Sequence, residues 1–276
     1  MRRGGRSPEP ESRRAHYNRH VATTRTEALI LRSVNFAESD RILHLLVPDV
    51  GRITVIAKGA RRSVKRFFGT LDFFNHLEIQ YDRRRSNSMA RLDQAVLIRP
   101  FSNLRTDPTR FAMGCYLLEL MDRLAPQGGV RDETRRLFGF LLRALQAIDA
   151  RPVDARLRVL LELRALEALG LCPELSRCVR CSKQVAGLPG RLAFSVPDGG
   201  PVCSSCSAGA EGLLPVERGT LRVLEQGLRF ELDQLQRLVL HPAVLDDARR
   251  LLSRFYRFHV GVELRSQGFL DEILSA

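Results

Sequence analysis

Two Cys-x-x-Cys pairs, Cys178-Val179-Arg180-Cys181 and Cys203-Ser204-Ser205-Cys206, hold four of the six cysteines and form the most specific chemical signal in this chain. A two-residue spacer lets both sulfurs of a pair converge on one ion, and tetrahedral Zn²⁺ fills its shell from two such pairs on separate turns. The 21 residues between them (182–202) include Gly187, Pro189, Gly190, Pro197, Gly199, Gly200 and Pro201, which suits a ribbon of short strands and tight turns. One structural Zn²⁺ on Cys178, Cys181, Cys203 and Cys206 is therefore expected. Four thiolates close the shell and leave no position for a catalytic water. Two other chemistries compete. A thioredoxin-like redox pair belongs between a strand and a helix, which two pairs bracketing a Gly/Pro-rich loop do not fit. A zinc-dependent nucleobase deaminase would use Cys172-Pro173-Glu174 with Cys203-x-x-Cys206, but Val202 separates Pro201 from the cysteine, and Cys178 and Cys181 would have no role. Cys172 reads as a free thiol, Glu174 as an exposed residue and Cys115 as a small buried hydrophobe.

Other reactive constellations are missing from the sequence. It has no G-x-x-x-x-G-K-[ST] loop and no H-E-x-x-H, and its six histidines form no ligand-spaced pair on a helix. The pattern is that of a binding protein, not an enzyme. The formal charge of +13 is uneven: residues 1–25 carry seven Arg against two Glu, and residues 26–105 carry fourteen cations against eight acids. Over the remaining 171 residues the balance is only +2. A positive field on the N-terminal third points to nucleic acid as the partner. No run of about 18 apolar residues and no secretory leader are present, so a cytoplasmic protein without membrane contact is expected.

The elements that must position these groups follow from periodicity. Residues 1–25, rich in Arg, Gly, Ser and Pro, read as a disordered arm. Residues 26–105 hold about five short strand-like runs separated by turns, which predicts a small closed β-barrel of the OB type. In the run from Arg52 to Lys58 the alternation gives one packed side and one partly basic side. Next comes the densest positive stretch, in which Lys58, Arg61, Arg62, Lys65 and Arg66 occur with no acid between them. These five, with Arg52 and with Arg84 and Arg85 of a later Arg-rich turn, are the candidate DNA contacts. Phe67 and Phe68 beside them are either stacking faces or core. After residue 101 the period becomes helical. Asp107-Pro108 starts a helix, Leu137, Leu141, Leu145 and Ile148 mark a second, and Gly170 stops a third. The expected architecture is α+β and multidomain: the barrel, a helical domain over 106–171, a four-Cys zinc ribbon over 172–210, and a C-terminal helical part over 211–276. Helices are expected to start at Pro215 and Pro242.

The order of these parts resembles the bacterial recombination mediator family RecO over about residues 26–276. The match is carried by Ala37-Glu38-Ser39-Asp40, by Ala57-Lys58-Gly59-Ala60-Arg61-Arg62 with Arg66-Phe67, and by Leu169-Gly170-Leu171-Cys172-Pro173-Glu174-Leu175 running into Cys178. Phe194-Ser195 and Gly199-Gly200 before Cys203 complete it. Ser182 and Ser207 depart from the pattern, since a Gly commonly follows each Cys-x-x-Cys, and the Arg-rich arm lies outside it. The resemblance implies a non-enzymatic role in DNA repair and recombination, with binding of single- and double-stranded DNA and annealing of complementary strands. It also implies RecR and the acidic C-terminal tail of single-strand binding protein as partners, RecA loading as the indirect outcome, and association with the nucleoid. A zinc-ribbon protein serving RNA or ribosome assembly is the alternative.

Overall fold

The computed structural model describes residues 23–63, 65–82, 89–185 and 191–275. Five strands, β1 (Thr23–Phe36), β2 (Asp40–Val47), β3 (Gly51–Ala57), β4 (Asn75–Asp82) and β5 (Ala90–Pro100), close into a barrel of order β1-β2-β3-β5-β4. Only β3 and β5 pair in parallel; the other neighbours are antiparallel. This is the predicted OB arrangement. Strand β1 pairs with β4 through its first half and with β2 through its second, and a register shift between Ile30 and Arg32 lets it bend to serve both. It begins at Thr23, so residues 23–25, expected in the arm, belong to the barrel; the rest of the arm lies outside the described residues.

Alternate residues fill the barrel: Ala28 and Ile30, Leu43, Leu45 and Val47, Val55 and Ala57, Leu77, Ile79 and Tyr81. Their neighbours Leu29, Leu31 and Leu46 point the other way and join Phe74, Phe101 and the helices in a second core. The barrel and the helical region therefore share one apolar interface. Helix α1 (Asn103–Thr106) leads into α2 (Pro108–Leu124), α3 (Arg131–Ala150) and α4 (Ala155–Ala168). Asp107 accepts from the Arg110 N–H at 2.8 Å and Asp154 from the Leu157 N–H at 2.8 Å, so both helices start on side-chain caps. Helix α4 is buried nearly all round, because α3 lies on one side of it and the ribbon and C-terminal helices on the other.

The ribbon is a sheet of order β7-β6-β8, made of β6 (Arg191–Ser195), β7 (Gly200–Val202) and β8 (Leu214–Glu217), with the one-turn helix α5 (Ser204–Ser207) between β7 and β8. Pro215 thus lies in a strand, and the helix expected there, α6 (Arg218–Arg229), starts three residues later. Pro is tolerated because β8 pairs only with β6 and is an edge. Helix α7 (Pro242–Phe255) starts where predicted, runs into a π-turn (Tyr256–Val260), and is followed by α8 (Arg265–Ser275). Phe194, Leu214 and Val216 of the ribbon pack with Val159, Leu163 and Leu166 of α4 and with Leu251 and Phe255 of α7.

One end of the β2–β3 hairpin is clamped to the helices. The Arg52 N–H donates to Pro126 O (2.8 Å), the Gly128 N–H to Val50 O (3.0 Å) and the Thr134 hydroxyl to Pro48 O (2.7 Å). Gly51 adopts φ +83°, and a Cβ there would stand 2.4 Å from Pro126 O. Arg135 and then Arg131 hold the Asp49 carboxyl below its ordinary range. Asp122 of α2 completes the clamp, meeting His44 Nδ1 at 2.6 Å and the Arg52 guanidinium at 3.3 Å. Asp122→Ala is expected to lower the unfolding free energy by about 1–2 kcal/mol in urea titrations at neutral pH, since it leaves two half-buried groups short of a partner. An unchanged midpoint would show that the junction does not depend on this carboxylate.

Candidate nucleic-acid interface and metal centre

The four predicted thiols come together. The sulfurs of Cys178, Cys181, Cys203 and Cys206 all lie within 4.8 Å of one another, with Cys178 and Cys203 buried, Cys206 half-buried and Cys181 exposed. Each knuckle is closed by its own backbone: the Ser182 N–H donates to Cys178 O (2.8 Å), and the N–H groups of Cys206 and Ser207 both reach Cys203 O (2.9 Å). The two knuckles are tied by Val179 N–H to Pro201 O (3.0 Å) and by Cys203 N–H to Cys178 Sγ (3.4 Å). Burial opposes a thiolate at Cys178, but the N–H groups of Cys203, Arg180 and Cys181 outweigh it and bring the thiol down to about 6. A Cβ on Gly200 would meet Val179 Cγ1 at 2.4 Å, so only glycine lets the two arms approach this closely. Four sulfurs at this separation fit a single metal ion in a closed tetrahedral shell.

Arg180 and Asp198, which the sequence does not single out, and Glu174 hold the centre in place. Arg180 donates to Cys206 O (2.8 Å) and to Asp198 (3.2 Å). Glu174, expected to be exposed, is half-buried, and its Oε1 accepts from the N–H groups of Leu175 (2.9 Å), Ser176 (2.7 Å) and Arg177 (3.2 Å). Burial opposes its charge, but these donors hold the carboxyl below its ordinary range. Cys172 is exposed and is not in the cluster. With Glu174 committed to a turn and Cys172 apart, the deaminase arrangement is not assembled. Cys115 is half-buried against the helical core, as expected, and burial raises it to about 11.

Five of the predicted cations, Lys58, Arg61, Arg62, Lys65 and Arg66, follow β3, at the barrel end opposite the clamp. Asp40, at the start of β2, accepts the Gly59 N–H (2.8 Å), and the Arg61 N–H donates to Ser39 O (2.9 Å), so the loop is pinned to the β1–β2 turn. Arg61 and Arg66 spend part of their guanidinium donors on Glu38 O (3.1 Å) and Lys58 O (2.8 Å), which shapes the loop. Arg62 stands 3.6 Å from Glu38, both strongly exposed, a pair of little energetic weight. Lys58 and Lys65 are exposed and make no ion pair among the described residues. Phe67 is core, closing the barrel with Leu71, whereas Phe68 is 76 % exposed. Arg52 is a different matter. Its guanidinium donates to Asp122 O (2.7 Å) inside the clamp, so the side of β3 expected to be partly basic is covered at this position by α2. Arg84 and Arg85 lie outside the described residues.

A closed OB-type barrel with a basic open end, carried on a helical body that also holds a four-cysteine ribbon, defines the class of protein. The pattern described as "Recombination protein O N terminal" matches residues 21–101, and "Recombination protein O C terminal" matches residues 105–268. The DNA repair protein RecO of Anaeromyxobacter sp. (strain K) is 36% identical over 245 residues, covering 89% of this chain and 94% of its own. That of Syntrophus aciditrophicus (strain SB) is 30% identical over 254 residues, covering 91% and 96%. That of Symbiobacterium thermophilum is 29% identical over 256 residues, covering 93% and 100%. The chain belongs to the RecO family.

Ser182 holds φ +61°, a left-handed conformation that costs an L-residue about 1–2 kcal/mol, whereas Ser207 is helical and needs no glycine. Ser182→Gly is therefore expected to stabilise the protein by about 0.5–1 kcal/mol in denaturant unfolding of the metal-loaded form. A destabilised variant would show that the serine side chain itself holds the knuckle.

Proposed function

We propose that this chain acts in recombinational DNA repair by holding DNA at the open end of its barrel, annealing complementary strands without enzymatic chemistry. In this reading it works with RecR and the acidic tail of single-strand binding protein, so that RecA can replace that protein on the strand, in the cytoplasm at the nucleoid. The observation that carries the reading is the loop of Lys58, Arg61, Arg62, Lys65 and Arg66, pinned at one barrel end with its cations turned outward in a member of the RecO family. The relatives' printed name, DNA repair protein RecO, supports the role. Among the described residues no helix is long and apolar enough to cross a membrane.

The metal is taken to be Zn²⁺, since thiolate donors in a closed four-sulfur set favour it. Cys178, Cys181, Cys203 and Cys206 would hold it, and bound there it would supply a cross-link between the two knuckles. Cys203→Ser is expected to lower zinc content and thermal stability first and to weaken DNA binding only through the loss of fold. A zinc-free variant with undiminished stability would contradict a structural role.

Replacing Lys58, Arg61, Arg62, Lys65 and Arg66 together by Ala tests the DNA assignment. If each touches one phosphate, the slope of log K against log salt falls in magnitude by about 3.5 units on single-stranded DNA. Unchanged affinity and slope would place the interface elsewhere. Strand annealing on DNA coated with single-strand binding protein tests the partner reading in the same preparation, and structured RNA outcompeting single-stranded DNA would favour the RNA alternative.

A further inference from the structure

Beside the clamp, β1, α2 and the start of α8 enclose a groove of about 420 Å³. Leu31 of β1 and Cys115 and Leu118 of α2 give it an apolar floor, and Phe73, 36 % exposed, stands at one side. Arg32, Arg123 and Arg265 line it as well, one from each of the three elements. All three are exposed, and their guanidinium groups make no hydrogen bond or ion pair among the described residues. Their places are tied together. Arg32 is the register partner of His44, which is bonded to Asp122, and Arg123 follows Asp122 on α2. Arg265 opens α8 beside Glu119, one helical turn back along α2, which accepts its N–H at 3.0 Å.

Two acids line the same groove, and both are already engaged. Asp122 lies between His44 Nδ1 and the Arg52 guanidinium. Glu119 accepts from the N–H (2.9 Å) and hydroxyl (2.6 Å) of Ser266 as well as from Arg265, so the start of α8 answers its charge. Burial opposes that charge, but these donors hold the carboxyl below its ordinary range. The uncompensated charge of the groove is therefore that of its three arginines. Guanidinium groups converging from three elements over an apolar floor fit a ligand with clustered negative charge at one end and a flat apolar body at the other. The volume is that of a small molecule. An extended peptide is served less well: the main chain of α2 is bonded within its helix, and the first N–H groups of α8 are taken by Glu119.

We propose that this groove binds a nucleoside diphosphate, with Arg32, Arg123 and Arg265 on the phosphates and the base laid on Leu31, Cys115 and Leu118 against Phe73. The floor offers a base edge nothing stronger than the Cys115 thiol as a hydrogen-bonding group, so ADP and GDP bind alike. The site is independent of the basic loop, which lies at the opposite end of the barrel. A nucleotide held here bridges β1, α2 and α8 at the junction of the barrel with the helices.

Anisotropy of the fluorescent analogue mant-ADP on the full-length, metal-loaded protein tests this. Saturable binding is expected, with ADP and GDP displacing the probe equally and adenosine and inorganic pyrophosphate each displacing it far more weakly. Arg123→Ala and Arg265→Ala are each expected to weaken mant-ADP binding by about 10- to 100-fold, the range of a hydrogen bond to a charged group. Both keep the oligo(dT) affinity and salt slope of the wild type, and the loop variant in turn keeps its mant-ADP affinity. If mant-ADP does not bind, or if both arginine variants bind it as the wild type does, the inference is overturned, and DNA binding by the loop is unaffected. Pyrophosphate displacing the probe as well as ADP does would reduce the site to an anion contact and overturn the nucleotide assignment. A labelled acidic peptide that binds the groove where mant-ADP does not would overturn it in favour of a protein segment. The chain contains no tryptophan, so Phe73→Trp installs a single fluorophore, which ADP is expected to quench at the anisotropy midpoint. Should an arginine variant fold poorly by circular dichroism, that quenching decides, and its absence overturns the inference.

Discussion

A barrel of five short strands has two apolar surfaces here, and only one can be hidden inside. Leu29, Leu31 and Leu46 face outward, and the helices exist at that position because those side chains must leave water. Everything else about the N-terminal half follows from where that cover stops. Over the β2–β3 turn it is complete, sealed by Gly51 against Pro126 and by Asp122 between His44 and Arg52. Toward the β1–β2 turn it ends, and the uncovered part of the same sheet carries Val34 and Phe36 beside the basic loop. The helices take one part of this surface and leave the other part open to solvent.

The ribbon obeys a similar rule at a smaller scale. Three short strands cannot bury enough surface to stand alone. One face is supplied by α4, α6 and α7, and the other end is cross-linked through the four sulfurs. The helical body meets this demand with a central helix that carries charge inside it: Arg158 of α4 reaches Glu162 at 3.0 Å and also pairs with Asp271 of α8. Burial raises the Glu162 carboxyl, and the Arg158 guanidinium opposes that shift. The hydroxyl of Tyr256 donates to Glu162 O at 2.7 Å, joining the π-turn to the same helix. The arrangement links α4, α8 and the C-terminal turn around one set of polar groups.

Much of this was legible because local chemistry and final role agree. The cysteine spacing names its own site, Asp107-Pro108 is both cap and first turn, and the five strands keep their alternation. The run Ala28-Leu29-Ile30-Leu31 is buried on both faces, and the helices that cover its second face are distant in sequence and cannot be read locally. What the sequence concealed depends on distant residues. Arg52 has the alternation of a surface cation, yet its partner Asp122 is 70 residues away. Pro215 precedes a helical register of Leu221, Leu224 and Leu228 and so resembles a helix start, until β6 claims it as an edge strand. The split between Phe67 and Phe68 is likewise a tertiary result, since neighbours in a loop go to opposite environments.

The central claim is that DNA meets the protein at the open end of the barrel and that the ribbon serves the fold. Hydrogen–deuterium exchange on the full-length, metal-loaded protein with and without oligo(dT) tests it most directly. The account predicts added protection in residues 32–44 and 54–66, with 174–202 unchanged. Protection concentrated in the ribbon, with the barrel end unaffected, would contradict it.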